Sequence, residues 1–137
     1  MYQFYFLSIF MNLLAGFALA HESLEDRIST RLFLNTELFV RPGFQLVVGI
    51  IAAIVGFFKF LSVTDGNVPV VGDLLPAVVG LAAGFTLILI YYQDRSTVSS
   101  PTLETLQAIF VKNRTVIGLL ALITAVLHFF FHSVLFL

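Results

Sequence analysis

Four long apolar runs, with nearly all of the charged residues between them, constrain this chain more than any other feature. The runs cover residues 2–20, 44–63, 74–92 and 115–137. Each is long enough to cross a bilayer core of about 30 Å as a helix, because an α-helix rises about 1.5 Å per residue. Three runs contain no Asp, Glu, Lys or Arg, and the second contains only Lys59. The pattern predicts an all-α membrane protein, an antiparallel bundle of four transmembrane helices.

The composition favours the same class of protein. Hydrophobic residues make up 59% of the chain and charged residues 11%, against about 25% charged in soluble domains. A chain with so few charges cannot cover a water-facing surface. We therefore expect a single four-span domain, residues 1–137, surrounded by a lipid bilayer. The net charge of −1 gives no case for nucleic-acid binding. Because the chain has no cysteine, disulfides, thiolate metal ligands and cysteine nucleophiles are excluded.

The first run ends in Ala18-Leu19-Ala20, which is similar to a signal-peptidase site. No Lys or Arg precedes the run, and the run is long for a signal peptide. We therefore expect a retained first helix. The chain also lacks Trp, so the tyrosines near the run ends are candidates for anchors at the membrane interface: Tyr2, Tyr5, Tyr91 and Tyr92.

The basic residues predict how the spans are oriented. Six of the seven Lys and Arg residues lie in the connections 21–43 and 93–114, and none lies in the turn 64–73 or in either tail. Cytoplasmic connections carry an excess of Lys and Arg. We therefore expect both long connections in the cytoplasm, both termini outside it, and a bacterial inner (plasma) membrane as the location.

A short amphipathic helix is predicted before the fourth span, over residues 100–113. Ser100 is a suitable N-cap, and Pro101 suits the first helical position. Apolar residues then recur at helical spacing: Leu103, Leu106, Ile109 and Phe110. We expect this helix to lie at the cytoplasmic interface of the membrane.

Small residues at spacings of three and four predict where the helices contact each other, because lipid provides no hydrophobic drive for helix association. The predicted helix-packing residues are Gly49, Ala52 and Gly56 in the second span, Gly80 and Gly84 in the third, and Gly118, Ala121 and Ala125 in the fourth. Stripes that face inward would build the bundle. Stripes that face outward would contact other subunits, and the sequence leaves both arrangements open.

Two polar residues lie inside the predicted spans. Lys59 is the one intramembrane charge, and such a charge is costly unless it is paired. Asp65 and Asp73, in the adjoining turn, are its candidate partners; the alternative is that Lys59 snorkels to the outer interface. Asn12 lies in the middle of the first span, where an amide most often bonds a neighbouring helix.

His128 and His132 are the candidate cofactor ligands. Their i, i+4 spacing places both imidazoles on one helix face, which suits axial ligation of a haem or a chlorophyll. Hydrogen bonding between helices is the interpretation we favour, with no cofactor. We predict no metal site, although the two residues and His21 would converge if all three lay on one side of the membrane.

The sequence contains no nucleophile constellation, no paired carboxylates inside a span and no phosphate-binding glycine loop, so we expect no enzyme. The leading hypothesis is a structural or accessory subunit of a larger membrane complex, with other membrane subunits or further copies of itself as partners. A small homo-oligomeric channel or transporter, with Lys59 or Asn12 near the path, is the first alternative. A haem- or chlorophyll-binding subunit of an electron-transfer or photosynthetic complex is the second.

Overall fold

A computed structural model describes residues 2–27, 36–62 and 73–131. About 90% of these residues are helical and none of them forms a strand, so the all-α prediction is confirmed. In chain order the elements are α1 (Tyr2–Arg27), α2 (Thr36–Val40), α3 (Pro42–Leu61), α4 (Leu74–Arg95), α5 (Pro101–Leu106), a π-helical turn (Gln107–Val111) and α6 (Arg114–Phe130).

Three of these helices are long and apolar enough to cross a membrane, namely α1, α3 and α4. The segment from α5 through α6 meets the same criterion only as one unit, and this unit is bent by 51°. The structure therefore has three or four candidate spans. Helix α1 continues to Arg27, beyond the end of its apolar run, because the hydrogen bonding of a helix does not stop where the apolar residues stop.

The short helix before α6 is confirmed, together with its N-cap. The Ser100 hydroxyl accepts a hydrogen bond from the Leu103 amide at 3.2 Å, and Pro101 is the first helical residue. The helix then widens into the π-helical turn, where the Phe110 ring meets the Phe85 ring of α4 edge to face, with 5.1 Å between centroids. This contact ties the end of the short helix to the bundle.

The bundle is built from two closely packed antiparallel pairs, α3 with α4 and α1 with α6, and α1 also packs on α3 and α4. Glycines allow the close approach within each pair. A Cβ added at Gly84 would lie 2.6 Å from the Gly49 carbonyl oxygen, and one at Gly118 would lie 2.9 Å from the Gly16 carbonyl oxygen. Real Cβ atoms do not approach backbone atoms so closely, so side chains at these positions would force the helices apart.

The structure buries every predicted helix-packing residue within the bundle, but not all of them serve the same contact. Gly84 faces the backbone of α3, whereas a Cβ at Gly80 would meet the Asn12 amide oxygen of α1 at 3.0 Å. The same Asn12 amide donates a hydrogen bond to the Pro76 carbonyl oxygen at 3.2 Å. Gly84 therefore sets the distance between α3 and α4, and Gly80 makes room for a polar link from α1 to α4.

We expect Gly84→Ala to lower the free energy of unfolding by about 1–3 kcal/mol, because the added methyl group has only backbone atoms of α3 to displace. The measurement is reversible unfolding in micelles by addition of a denaturing detergent. Gly43→Ala is the matched control, since a Cβ at Gly43 meets nothing within 4 Å, and it should change the same quantity by no more than about 0.5 kcal/mol. Equal effects of the two substitutions would contradict the close α3–α4 contact.

Candidate functional site

Four helices each bring one buried side chain with a polar group to the same end of the bundle. Tyr5 comes from α1, Lys59 from α3, Asp73 from the residue before α4, and His128 from α6. We call these four residues the polar cluster. They meet because α1 and α4 begin at this end, the cluster end, and α3 and α6 finish there. Chain topology alone therefore assembles residues that are up to 123 positions apart.

An ion pair lies at the centre of the polar cluster. The Lys59 ammonium donates to the Asp73 carboxylate with an Nζ–Oδ2 distance of 2.9 Å, and the two side chains are 1% and 3% exposed. Lys59 lies in the last turn of α3 and Asp73 at the N-cap of α4. A helix dipole favours a positive charge at its C-terminal end and a negative charge at its N-terminal end, so both residues occupy the helix end that suits their charge.

Asp73 is thus one of the two partners that the sequence offered for Lys59, and the other, Asp65, lies outside the described residues. The alternative in which Lys59 snorkels to the outer interface is wrong. A snorkelling ammonium leaves the protein for the interface, whereas this side chain is 1% exposed and ends on a buried carboxylate. The ammonium is therefore buried together with a carboxylate of opposite charge.

His128 is fully buried and lies on the other side of the same carboxylate. Its Nε2 is 3.9 Å from the Asp73 Oδ1, which is longer than a hydrogen bond. The Tyr5 ring packs against the imidazole, with 4.8 Å between centroids. The Tyr5 hydroxyl donates to the carbonyl oxygens of His128 and Phe129 at 2.9 and 3.0 Å, and its ring centroid lies 5.8 Å from the Lys59 Nζ. Tyr5 therefore touches both the cation and the imidazole.

The remaining predicted site residues lie elsewhere. Asn12 is about two turns further along α1 than Tyr5 and bonds α4 rather than the polar cluster. His21 is about 24 Å from Tyr5 along α1, at 1.5 Å per residue, so it does not converge with His128. His132 lies outside the described residues. Within residues 2–27, 36–62 and 73–131, no three His, Asp or Glu side chains are grouped as metal ligands.

Tyr5 is the member of the polar cluster that the sequence interpretation missed. Its place near a run end suggested an anchor at the membrane interface, but the side chain is buried at 7% exposure. A signal was present, because Tyr5 precedes Ser8, Asn12 and Ala15 at spacings of three and four on one helix face. The helix face on which Tyr5 lies therefore indicated its burial better than its distance from the end of the apolar run.

A family profile that describes a domain of unknown function matches residues 1–128, and the chain belongs to that family. An uncharacterized protein of Treponema pallidum (strain Nichols) is 32% identical over 138 residues, which span the full length of both chains. No solved structure matches the chain.

We expect Lys59→Met and Asp73→Asn each to lower the free energy of unfolding by about 3–5 kcal/mol, because each leaves an uncompensated charge in the core. The double variant Lys59→Met/Asp73→Asn should recover most of that loss, since both charges are then gone. Detergent-induced unfolding of the four proteins measures the coupling as a double-mutant cycle.

Arg114→Gln is the control for that cycle. It removes an ion pair with Glu22 whose side chains are 33% and 66% exposed, and an exposed pair contributes about 1 kcal/mol or less. Additive losses from the two substitutions in the polar cluster would show that Lys59 and Asp73 do not depend on each other.

Proposed function

We propose that this member of the family is a four-span integral membrane protein that acts as a non-enzymatic structural or accessory subunit of a larger membrane complex. One observation carries the proposal: polar groups inside the bundle bind one another across helices. Lys59 binds Asp73, the Tyr5 hydroxyl binds the His128 carbonyl oxygen, and Asn12 binds a carbonyl oxygen of α4. Polar groups that bind one another across helices stabilise the bundle, which suits a structural subunit.

The outer surface of the bundle supports the membrane part of the proposal. Large apolar side chains are exposed on all four long helices, including Phe6 and Phe10 of α1, Ile54 and Phe57 of α3, Val78 and Phe85 of α4, and Ile123 and Phe129 of α6. Soluble monomers rarely expose contiguous apolar areas of this kind. Lipid, or the apolar surfaces of other membrane subunits, would cover them.

The charges support α6 as the fourth span and the cluster end as the outer end. Apart from Lys59, the basic residues of the described segments lie at the opposite end of the bundle: Arg27, Arg41, Arg95, Lys112 and Arg114. This end is the cytoplasmic one by the positive-inside rule. With α5 and the π-helical turn lying along the cytoplasmic interface, the 51° bend becomes the point at which the chain turns into the membrane.

The geometry favours a subunit over the two alternative functions. Lys59 and Asn12 both bind neighbouring helices of their own bundle, which supports a structural use of these groups over a path between copies of the chain. His128 is enclosed by the Tyr5 ring and the Asp73 carboxylate. A haem or chlorophyll on this imidazole would have to displace one of them.

Single cysteines test the topology, and the chain offers a cysteine-free background. We expect cysteines at Asn67 and Leu137 to react with a membrane-impermeant maleimide from outside, and a cysteine at Ser99 to react only after permeabilisation. The reason is that four spans place the turn 64–73 and the C-terminus on one side of the membrane and the connection 93–114 on the other. Labelling of Ser99 and Asn67 from the same side would contradict four spans, and labelling of Leu137 with Ser99 would remove the fourth.

Purification from the native membrane in a mild detergent tests the assignment as a subunit. We expect a colourless preparation that contains other polypeptides in stoichiometric amount, identified by mass spectrometry and by native mass. A second tagged protein of the same membrane controls for chance co-purification. A closed assembly of this chain alone would favour the channel or transporter, and a Soret or chlorin band that His128→Leu removes would favour the cofactor-binding subunit.

A further inference from the structure

Helices α1 and α6 leave a groove between them on the outer surface of the bundle. Near the middle of α1 the two backbones are in close contact, because a Cβ at Gly16 would lie 2.8 Å from the Gly118 carbonyl oxygen. Between this contact and the cluster end neither helix contains a glycine. In that part of the pair a groove of about 500 Å³ opens between the helices.

The lining of the groove is entirely apolar. Eight described residues line it, four from each helix, and none of them carries a polar side chain. Ile9 and Ala125 are buried, whereas aromatic rings at the groove are exposed: Phe6 and Phe10 of α1, and Phe129 and Phe130 of α6. A ligand of this groove is therefore recognised by packing on hydrocarbon, and not by a charge or a hydrogen bond.

The size of the groove suits a small ligand better than a protein partner. Its volume lies within the range of about 300–1,000 Å³ that is typical of small-molecule sites. On α1 the lining extends from Phe6 to Leu13, which is about 10 Å along the helix axis. A partner helix would cross the whole bilayer core of about 30 Å, and a stable protein interface takes about 20–30 residues from each side, against the eight found here.

We propose that the groove binds one acyl chain of a phospholipid from the leaflet at the cluster end of the bundle. In the four-span arrangement the lining residues lie in that half of the membrane, because α1 begins and α6 finishes there. An acyl chain is confined to one leaflet, about 15 Å of hydrocarbon, so its length and its direction match the groove. This inference rests on the membrane part of the proposed function and adds a bound lipid to the scaffold.

Close packing is what distinguishes the bound chain from the surrounding lipid. Transfer of a chain from lipid to an apolar protein surface brings no hydrophobic gain. A chain in the groove instead makes many dispersion contacts with two helices at once, and such contacts are small singly and large together. The bound chain would then join α1 to α6 at the end where the Tyr5 hydroxyl bonds the His128 carbonyl oxygen.

Native mass spectrometry of the full-length protein tests the site, after reconstitution in nanodiscs of dioleoylphosphatidylcholine and release into a mild detergent. We expect one retained phospholipid per chain. We expect its loss in Val126→Phe, because the larger side chain fills the groove from the rim. Val78→Phe on α4 is the matched control and should retain the lipid, since Val78 is 46% exposed, Val126 is 49% exposed, and only Val126 lines the groove. No retained phospholipid in the unmodified protein, or equal retention by the two variants, would overturn the proposal.

Photolabelling of the unmodified protein needs no variant to fold. The probe is a phosphatidylcholine with a diazirine in its acyl chain, and the labelled residues are mapped by mass spectrometry. We expect labels concentrated in 6–13 and 125–130, the two segments that line the groove. The lipid-facing side chains of α3, such as Ile54 and Phe57, are the internal reference, because they are similarly exposed outside the groove. Labels spread equally over the groove and this reference surface would contradict a bound chain.

Single cysteines decide whether a protein covers the groove in the native membrane, and Val126→Cys is compared with Val78→Cys under oxidising and cross-linking conditions. We expect neither cysteine to join a second copy of the chain or another polypeptide. A cross-link specific to Val126→Cys would place a protein on the groove and overturn the proposal. Four-span labelling and co-purified subunits report separately on the proposed function, so an intact topology without retained phospholipid would overturn the lipid site alone.

Discussion

The ion pair between Lys59 and Asp73 is the interaction on which the rest of the bundle depends. A single charge in an apolar interior is costly, and a pair is tolerated only when its geometry is close to ideal. The 2.9 Å contact therefore fixes where α3 and α4 lie relative to each other. The glycine contacts of the same two helices need that register, since Gly49 and Gly84 must face each other for the backbones to approach.

The second helix pair uses different groups for the same purpose. Gly16 and Gly118 bring α1 and α6 together, and the Tyr5 hydroxyl caps the contact at the cluster end. Asn12 then fastens α1 to α4, where Gly80 leaves room for its amide. Small residues thus decide how closely helices approach, while polar side chains decide which helices meet. In the membrane protein that we propose, neither group would specify the bundle alone, because lipid gives no preference among apolar helix faces.

The sequence predicted what depends on local pattern and missed what depends on contacts between distant segments. The apolar runs predicted α1, α3 and α4, and Ser100 with Pro101 predicted the start of α5, because hydropathy and capping act over a few residues. The π-helical turn, in which Phe110 packs on Phe85 of α4, and the 51° bend after it have no such local signal. Gly80 and Gly84 lie four residues apart on α4 and look equivalent in the sequence. Their roles differ because Gly80 faces Asn12 of α1, whereas Gly84 faces the backbone of α3. The burial of Tyr5 likewise follows from its partners on α6.

The separation of contacts along the chain implies an order of assembly during synthesis. Lys59 and Asp73 are only 14 residues apart, whereas Tyr5 and His128 are 123 residues apart. Closing a short loop costs little chain entropy, and the N-terminal part of a nascent chain is available first. In the four-span protein that we propose, the α3–α4 hairpin can therefore enter the bilayer with its charges already neutralised, before α6 has left the ribosome. Helix α6, which is the closest neighbour of α1, is made after this hairpin and closes the bundle.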